Sequence, residues 1–218
     1  MRDPYRRAAT APVAPPAEPG ARRSLRALLR GGPVGQAIAR ADLRLYRLIR
    51  AAARPPLLRP IGRFSALGEH AEAWIVLGLA GMALDAPRRG RWRRAVLCVG
   101  GTYLLNTAIK GIFRRARPAL EDLPALVATP TALSFPSAHA SSSFAAARAY
   151  SALLPAGPLY ATATVMAVSR VYLGVHYLSD VSAGWALGVA SFSLCAAVAL
   201  VITTVRHNDE PMPDSTAN

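Results

Sequence analysis

Three short polar clusters interrupt a mostly apolar stretch, and each carries groups able to handle an anion or a proton. In Lys110-Gly-Ile-Phe-Arg-Arg-Ala-Arg117-Pro118 two cations stand seven residues apart, about two turns if the segment is helical, which would face both one way. Phe135-Pro-Ser137-Ala138-His139 opens a stretch rich in Ala and Ser. Ser137 suits a helix N-cap, leaving the next backbone amides, beginning with that of Ala138, free to grip an anion. Ser169-Arg170-Val-Tyr-Leu-Gly-Val-His176-Tyr-Leu-Ser-Asp180 places an imidazole and a carboxylate four residues apart. At that spacing the carboxylate can fix which ring nitrogen carries the proton. Taken singly, each cluster has an ordinary structural use, as an interfacial anchor, a helix start or a hydrogen bond. Together they supply fixed cations, anion-binding amides, two imidazoles and an orienting carboxylate, which is what phosphoryl transfer requires.

To meet, these clusters need apolar segments that deliver them to one end of a bundle. The sequence predicts an all-α, integral-membrane helical bundle with about five spans: 73–84, 95–109, about 138–154, a helix ending near Arg170, and 181–205. The last has 25 residues without a charge and meets the roughly 20-residue requirement of a bilayer, whereas the first is short for it. Gly184 and Gly188 give the last span a small-residue packing face. Arg148, inside the third helix, is expected to snorkel to the interface. Between the first two spans, Arg88-Arg89-Gly-Arg91-Trp-Arg93-Arg94 reads as a five-Arg loop, a cytoplasmic marker. With that loop inside, all three clusters reach the extracytoplasmic face of the cell membrane. Glu69 and His70, at the start of the first span, are then expected at the mouth of the same site.

The remaining composition agrees with a membrane location. A net charge of +14 is combined with 52% hydrophobic residues, so grease and charge must be segregated. The cations alternate with apolar blocks and lack the aromatic interleaving of a nucleic-acid binder, so the partners expected are membrane lipids and not nucleic acid. Domain boundaries follow composition: a disordered basic tail at 1–23, an amphipathic membrane-associated region at 24–66, a membrane-embedded domain at 67–206 and a C-terminal tail at 207–218. Fourteen Arg precede Glu69, so the second region either crosses the bilayer or lies on its outer surface. Cys98 and Cys195 read as small buried hydrophobes. The chain opens without the pattern of a cleaved signal peptide. No Asp/Glu/His cluster suggests a metal cage, so neither metal nor cofactor is expected.

The three clusters, in this order and with these internal spacings, resemble the type 2 phosphatidic acid phosphatase family, which shares its motifs with vanadium haloperoxidases. The resemblance spans Lys110 to Asp180, with Ala138 where Gly is common. It implies a phosphohistidine mechanism: His176 as nucleophile, Asp180 orienting it, and His139 protonating the leaving oxygen. Lys110, Arg117 and Arg170 would neutralise the phosphate, with Ser137 and Ala138 adding hydrogen bonds. The implied substrate is a lipid phosphate. The surroundings of the first two motifs are similar to actinobacterial phosphatases acting on decaprenylphosphoryl-5-phosphoribose, with undecaprenyl diphosphate, phosphatidic acid and phosphatidylglycerophosphate left open. A soluble haloperoxidase fits poorly with charge-free spans, and an idle scaffold would have lost motif residues. Oligomeric state is left open.

Overall fold

A computed structural model of the chain describes residues 32–208; the expected basic tail at 1–23 and nearly all of the expected C-terminal tail lie outside them. The described residues are helical, with no strand among them. Helix α1 is Pro33–Ala51 and α2 is Pro55–Ala66. Each opens on a Pro in its first turn, where the missing N–H costs nothing. A one-turn Glu69–Ala71 segment with left-handed residues at His70 and Ala71 leads into α3, Glu72–Leu84. After a turn, α4 runs Arg89–Phe113, followed across a long connection by α5, Ala138–Tyr150, then α6, Ala156–Tyr172, and α7, Leu178–Asn208.

Helix α5 is the axis of the fold, with α4, α6 and α7 packed around it. From His139 to Tyr150 every residue but Arg148 is buried. Its Ala and Ser side chains are what allow backbones to approach on all sides. The glycine face of α7 is used here: a Cβ on Gly184 would press on the Ser137 carbonyl and the Ala140 side chain, and one on Gly188 on the backbone of Ser141 and Ala145. Between α3, α4 and α5, Trp74, Trp92 and Tyr150 fill the core, and the Trp74 indole N–H donates to Ser143 Oγ at 2.9 Å. The outer faces of α3, α4 and α6 remain apolar, with Val76, Leu79, Leu97, Leu104 and Val165 all exposed. Such a surface suits lipid and not water.

Two expectations are corrected, the Arg loop and the burial of Cys195. The five-Arg segment is not a loop: α4 starts at Arg89, and only Asp85–Arg88 forms the turn. Arg is a good helix former, and Asp85 anchors the turn by an ion pair to Arg88 at 2.6 Å and by accepting the Trp92 indole N–H at 2.9 Å. Cys98 is buried as expected, but Cys195 is exposed. Arg148 is exposed and lays its guanidinium over Phe192, 4.5 Å from the ring centroid. Among the described residues, one helix, Ala86–Phe113, is long and apolar enough to cross a membrane by length and composition. The 13 residues of α3 or of α5 make only about 20 Å of helix.

The N-terminal region does more than coat a surface. Helix α1 crosses the motif end of the bundle, from the start of α7 to the end of α6. Asp42 contacts Ser179, Tyr46 donates its hydroxyl to the Leu123 carbonyl at 3.0 Å, and Arg50 donates to the Pro124 carbonyl at 2.6 Å. Those three residues are buried, while Arg40, Arg44 and Arg47 are exposed.

Candidate active site

The three motifs converge at this end. Lys110, one turn before the end of α4, is buried and spans to the approach of α5, where its ammonium donates to the carbonyls of Pro136 at 2.7 Å and Ser134 at 3.3 Å. Asn106, one turn earlier, donates to the same Pro136 carbonyl at 3.3 Å. Arg117 arrives differently from the expectation. Arg114 adopts a left-handed conformation that ends α4, so Lys110 and Arg117 do not share a helix face. Arg117 instead comes from the α4–α5 connection, held by Nε donating to the Thr131 carbonyl at 2.8 Å.

His176 is buried in the α6–α7 connection, two residues before α7 begins. Arg117 Nη1 donates to its Nε2 at 3.0 Å and to the Val175 carbonyl at 2.7 Å. A guanidinium can only donate, so Nε2 holds a lone pair, and a neutral ring carries its proton on Nδ1. Asp180 Oδ2 lies 3.5 Å from that Nδ1 and accepts the Tyr177 amide at 2.9 Å. Burial first, then the charges of Arg117, Lys110 and Arg170, hold His176 well below the usual imidazole range. Burial also pushes the Arg117 guanidinium down to about 10, against the pull of Asp180 and Glu69; it remains charged at neutral pH.

Ser137 occupies the N-cap of α5 as expected, its hydroxyl accepting the Ala140 amide at 3.5 Å. Its own N–H is taken by the Asp180 carbonyl at 2.9 Å, which ties the second motif to the third. Ala138 and His139 form the first turn behind that cap. His139 Nε2 donates to the Ser65 carbonyl at 3.1 Å, and Arg170 Nη1 donates to Ser65 Oγ at 2.7 Å. Glu69 stands near enough to Arg117 to act on its charge, whereas His70 turns away to Tyr103, with Nδ1 2.7 Å from the hydroxyl.

Sequence reasoning missed three residues at this end: Ser65 on α2, Asp42 on α1, and Arg115. Arg115 Nη1 donates to Asp180 Oδ1 at 2.8 Å and Nη2 to Asp42 Oδ2 at 2.8 Å. Burial opposes the Arg115 charge, but Asp180 and Asp42 outweigh it and hold its protonation above the ordinary value. One signal was available: Asp42 is the lone acid between residues 24 and 63. Among the described residues, no three of His, Cys, Asp and Glu gather as metal ligands do.

Cations on one side of an imidazole and a carboxylate on the other, at the end of a helical bundle with an apolar exterior, define a membrane phosphatase site. The family model of the PAP2 superfamily matches residues 91–204, and the chain belongs to that superfamily. It is a phosphoric monoester hydrolase of the lipid-phosphatase class. It is 42% identical to the decaprenylphosphoryl-5-phosphoribose phosphatase of Mycolicibacterium smegmatis over 61% of this chain and 74% of that protein. In structure it is similar to the transmembrane PAP2 type phosphatidylglycerolphosphate phosphatase from Bacillus subtilis, with a TM-score of 0.63 and 26% identity over 84% of this chain and 96% of that one. It is also similar to Aquifex aeolicus LpxE, with a TM-score of 0.63 and 27% identity over 71% of this chain and 94% of that one.

Proposed function

We propose that the chain hydrolyses a polyprenyl-linked phosphate such as decaprenylphosphoryl-5-phosphoribose through a phosphohistidine at His176. The observation that carries the mechanism is the Arg117 hydrogen bond to His176 Nε2, because it leaves the lone pair on the nitrogen facing the cations and the proton on the nitrogen facing Asp180. As a phosphate enters, Arg117 moves from Nε2 onto a phosphate oxygen, joined by Lys110, Arg170 and the amides behind Ser137. Nε2 then forms a bond to phosphorus, the bond to the lipid oxygen breaks, and His139 supplies the proton that oxygen needs. Asp180 balances the positive charge arising on the His176 ring. In the second half, water attacks phosphorus, His139 takes up its proton, and inorganic phosphate leaves with His176 restored. Fixed cations stabilise charge on the transferring group without the reorganisation water would need. No step needs a metal or a cofactor.

The substrate reading rests on the 42% identity to the mycobacterial relative. An apolar groove of about 290 Å³, lined by Leu67, Trp74, Leu77, Leu159 and Met166 among others, supports a lipid tail. It ends beside the site, because a Cβ on Gly68 would touch both Met166 and His139. Phosphatidylglycerophosphate is the second reading, favoured by the structural likeness that covers 96% of the Bacillus enzyme. We further read α3 to α7 as five spans of the cell membrane, with the Arg88–Arg94 end cytoplasmic and the site extracytoplasmic. The exposed Arg of α1 and α2 then meet anionic head groups on the outer face, and residues 24–66 form a membrane-associated region beside the embedded domain at 67–206.

The test is phosphate release by purified protein in detergent against decaprenylphosphoryl-5-phosphoribose, undecaprenyl diphosphate, phosphatidic acid and phosphatidylglycerophosphate. Acid-labile, base-stable phosphoenzyme should be trapped on His176, vanadate should inhibit, and chelators should not. Full activity in His176→Ala, or a chelator-sensitive rate restored by divalent ions, would overturn the mechanism. Fastest turnover of another lipid would overturn the substrate.

A further inference from the structure

Asp42 lies on an Arg-rich helix that the sequence presents as a surface element, yet it is only 3% exposed. Its Oδ1 accepts the Ser179 amide at 2.9 Å, and its Oδ2 accepts the Ser179 hydroxyl at 2.5 Å and Arg115 Nη2 at 2.8 Å. The other terminal nitrogen of Arg115 donates to Ser179 Oγ at 2.7 Å and to Asp180 Oδ1 at 2.8 Å. One planar guanidinium therefore bridges two buried carboxylates from two different helices. It also rests on the Tyr177 ring, 4.4 Å from the centroid.

A buried ion-pair network of this kind is a weak source of stability, because desolvating the charges offsets most of their attraction. It is a strong source of direction, since one arm of the guanidinium holds Asp180 Oδ1 while the other is fixed by Asp42, and the Tyr177 amide holds Oδ2. Asp180 has two oxygens with separate duties. Oδ2 takes the Tyr177 amide and faces His176, while Oδ1 is engaged by Arg115. Without Arg115, Asp180 would be held only by the Tyr177 amide on Oδ2 and would lose the contact that fixes Oδ1. The remaining gap of 3.5 Å between Oδ2 and Nδ1 needs a closing shift of only about half an ångström to become a hydrogen bond, so small errors in aim matter.

We propose that Arg115, clamped by Asp42, is a positioning residue that holds Asp180 aimed at His176. Helix α1 is thereby part of the reaction machinery, although the family match begins only at residue 91. The inference rests on His176 and Asp180 acting as the nucleophile pair. The charged and titratable groups around Asp180 are Arg115 and Arg117 from the α4–α5 connection, Lys110 from α4, His176 and Tyr177 from the α6–α7 connection, and, across the Arg115 guanidinium, Asp42 from α1. Removing Arg115 leaves two cations near but takes away the one that hydrogen-bonds the carboxylate. Protonation of the His176–Asp180 pair then becomes easier.

The experiment uses full-length protein in detergent and the panel lipid that the wild type hydrolyses fastest. Arg115→Ala should lower kcat by on the order of 10- to 100-fold, as loss of an outer-shell partner does elsewhere, with KM little changed and the acid limb of kcat/KM moved to higher pH. Arg115→Lys should return the acid limb while recovering only part of the rate, because an ammonium lacks the fork. Asp42→Asn should lower kcat in the wild type but cost little more in Arg115→Ala, since both changes act on one link. Where melting in detergent shows Arg115→Ala unfolded, Asp42→Asn and Arg115→Lys decide. Folded variants with wild-type kcat, an unmoved acid limb in Arg115→Ala, or fully multiplicative losses would overturn the proposal. Wild-type activity in His176→Ala or Asp180→Asn would instead overturn the nucleophile reading beneath it.

Discussion

Lys110 is the single lysine among 26 cations, and its surroundings differ from those of the exposed arginines at the other end of α4. Its ammonium is buried and held by carbonyls on the approach to α5, whereas Arg91 is exposed. A cation acting on a transferring phosphoryl group in a partly dehydrated site is worth far more than a screened surface charge. Lys110→Ala is expected to lower kcat by about 10²–10³-fold, the range for removing one fixed stabilising group, and Arg91→Ala to stay near wild type. Matched kinetics at equal expression decide, and equal losses would make Lys110 an anchor only. The same surroundings set a pH dependence. His176 is useful while neutral, and burial with three neighbouring cations lowers its protonation. Activity should therefore persist as pH falls below about 6.5, the unperturbed imidazole value, and be lost only further down. An acid limb at or above that value in kcat/KM would show His176 protonated in the free enzyme.

Among the elements, α5 and α7 form the closest pair, and the contact is made by absence of side chain. Gly188 faces the backbone of Ser141 and Ala145, which cannot yield as a flexible side chain could. Gly188→Ala should destabilise by about 1–3 kcal/mol, the usual cost of overpacking, read as a lower melting temperature in detergent. Gly101 lies on α4 with open space around its missing Cβ. Gly101→Ala should leave stability unchanged or raise it by up to about 1 kcal/mol, the helix-propensity difference. Equal effects from the two substitutions would mean that the small face of α7 is not a packing device. Spacing alone revealed the glycine pair but not the partner, which is a helix some forty residues earlier in the chain.

For the whole molecule, arginines collect at both ends. Arg88 to Arg94 lie away from the site, while α1 carries Arg40, Arg44 and Arg47 across the motif end. Charge counting alone thus leaves two orientations, and the cluster of five Arg at Arg88 and the first turns of α4 favours the site outside. In a background lacking Cys98 and Cys195, a cysteine at Glu69 should react with a membrane-impermeant thiol reagent on intact cells, and one at Gly90 should be protected. Labelling at 90 with protection at 69 would turn the molecule over. The site would then face the cytoplasm, and the Arg of α1 would serve as the inside-positive signal.

What the sequence determined by itself was local. The order and spacing of the Lys110, Ser137 and His176 clusters, the N-cap at Ser137 and the run of apolar helices all depend on residues a few positions apart, where side-chain type and periodicity decide. It failed where a break or a long return was needed. A separation of seven between Lys110 and Arg117 looked like two helical turns, but Arg114 adopts a left-handed conformation, and the fold brings the two charges back to the neighbourhood of His176. The lone Asp42 in an Arg-rich helix was visible, yet its partners Arg115 and Ser179 lie 73 and 137 residues away. Only the tertiary structure could decide that contact. A buried carboxylate must find a cation wherever the chain returns, and an amphipathic helix carries the same pattern whether its buried face meets lipid or the loops of an active site.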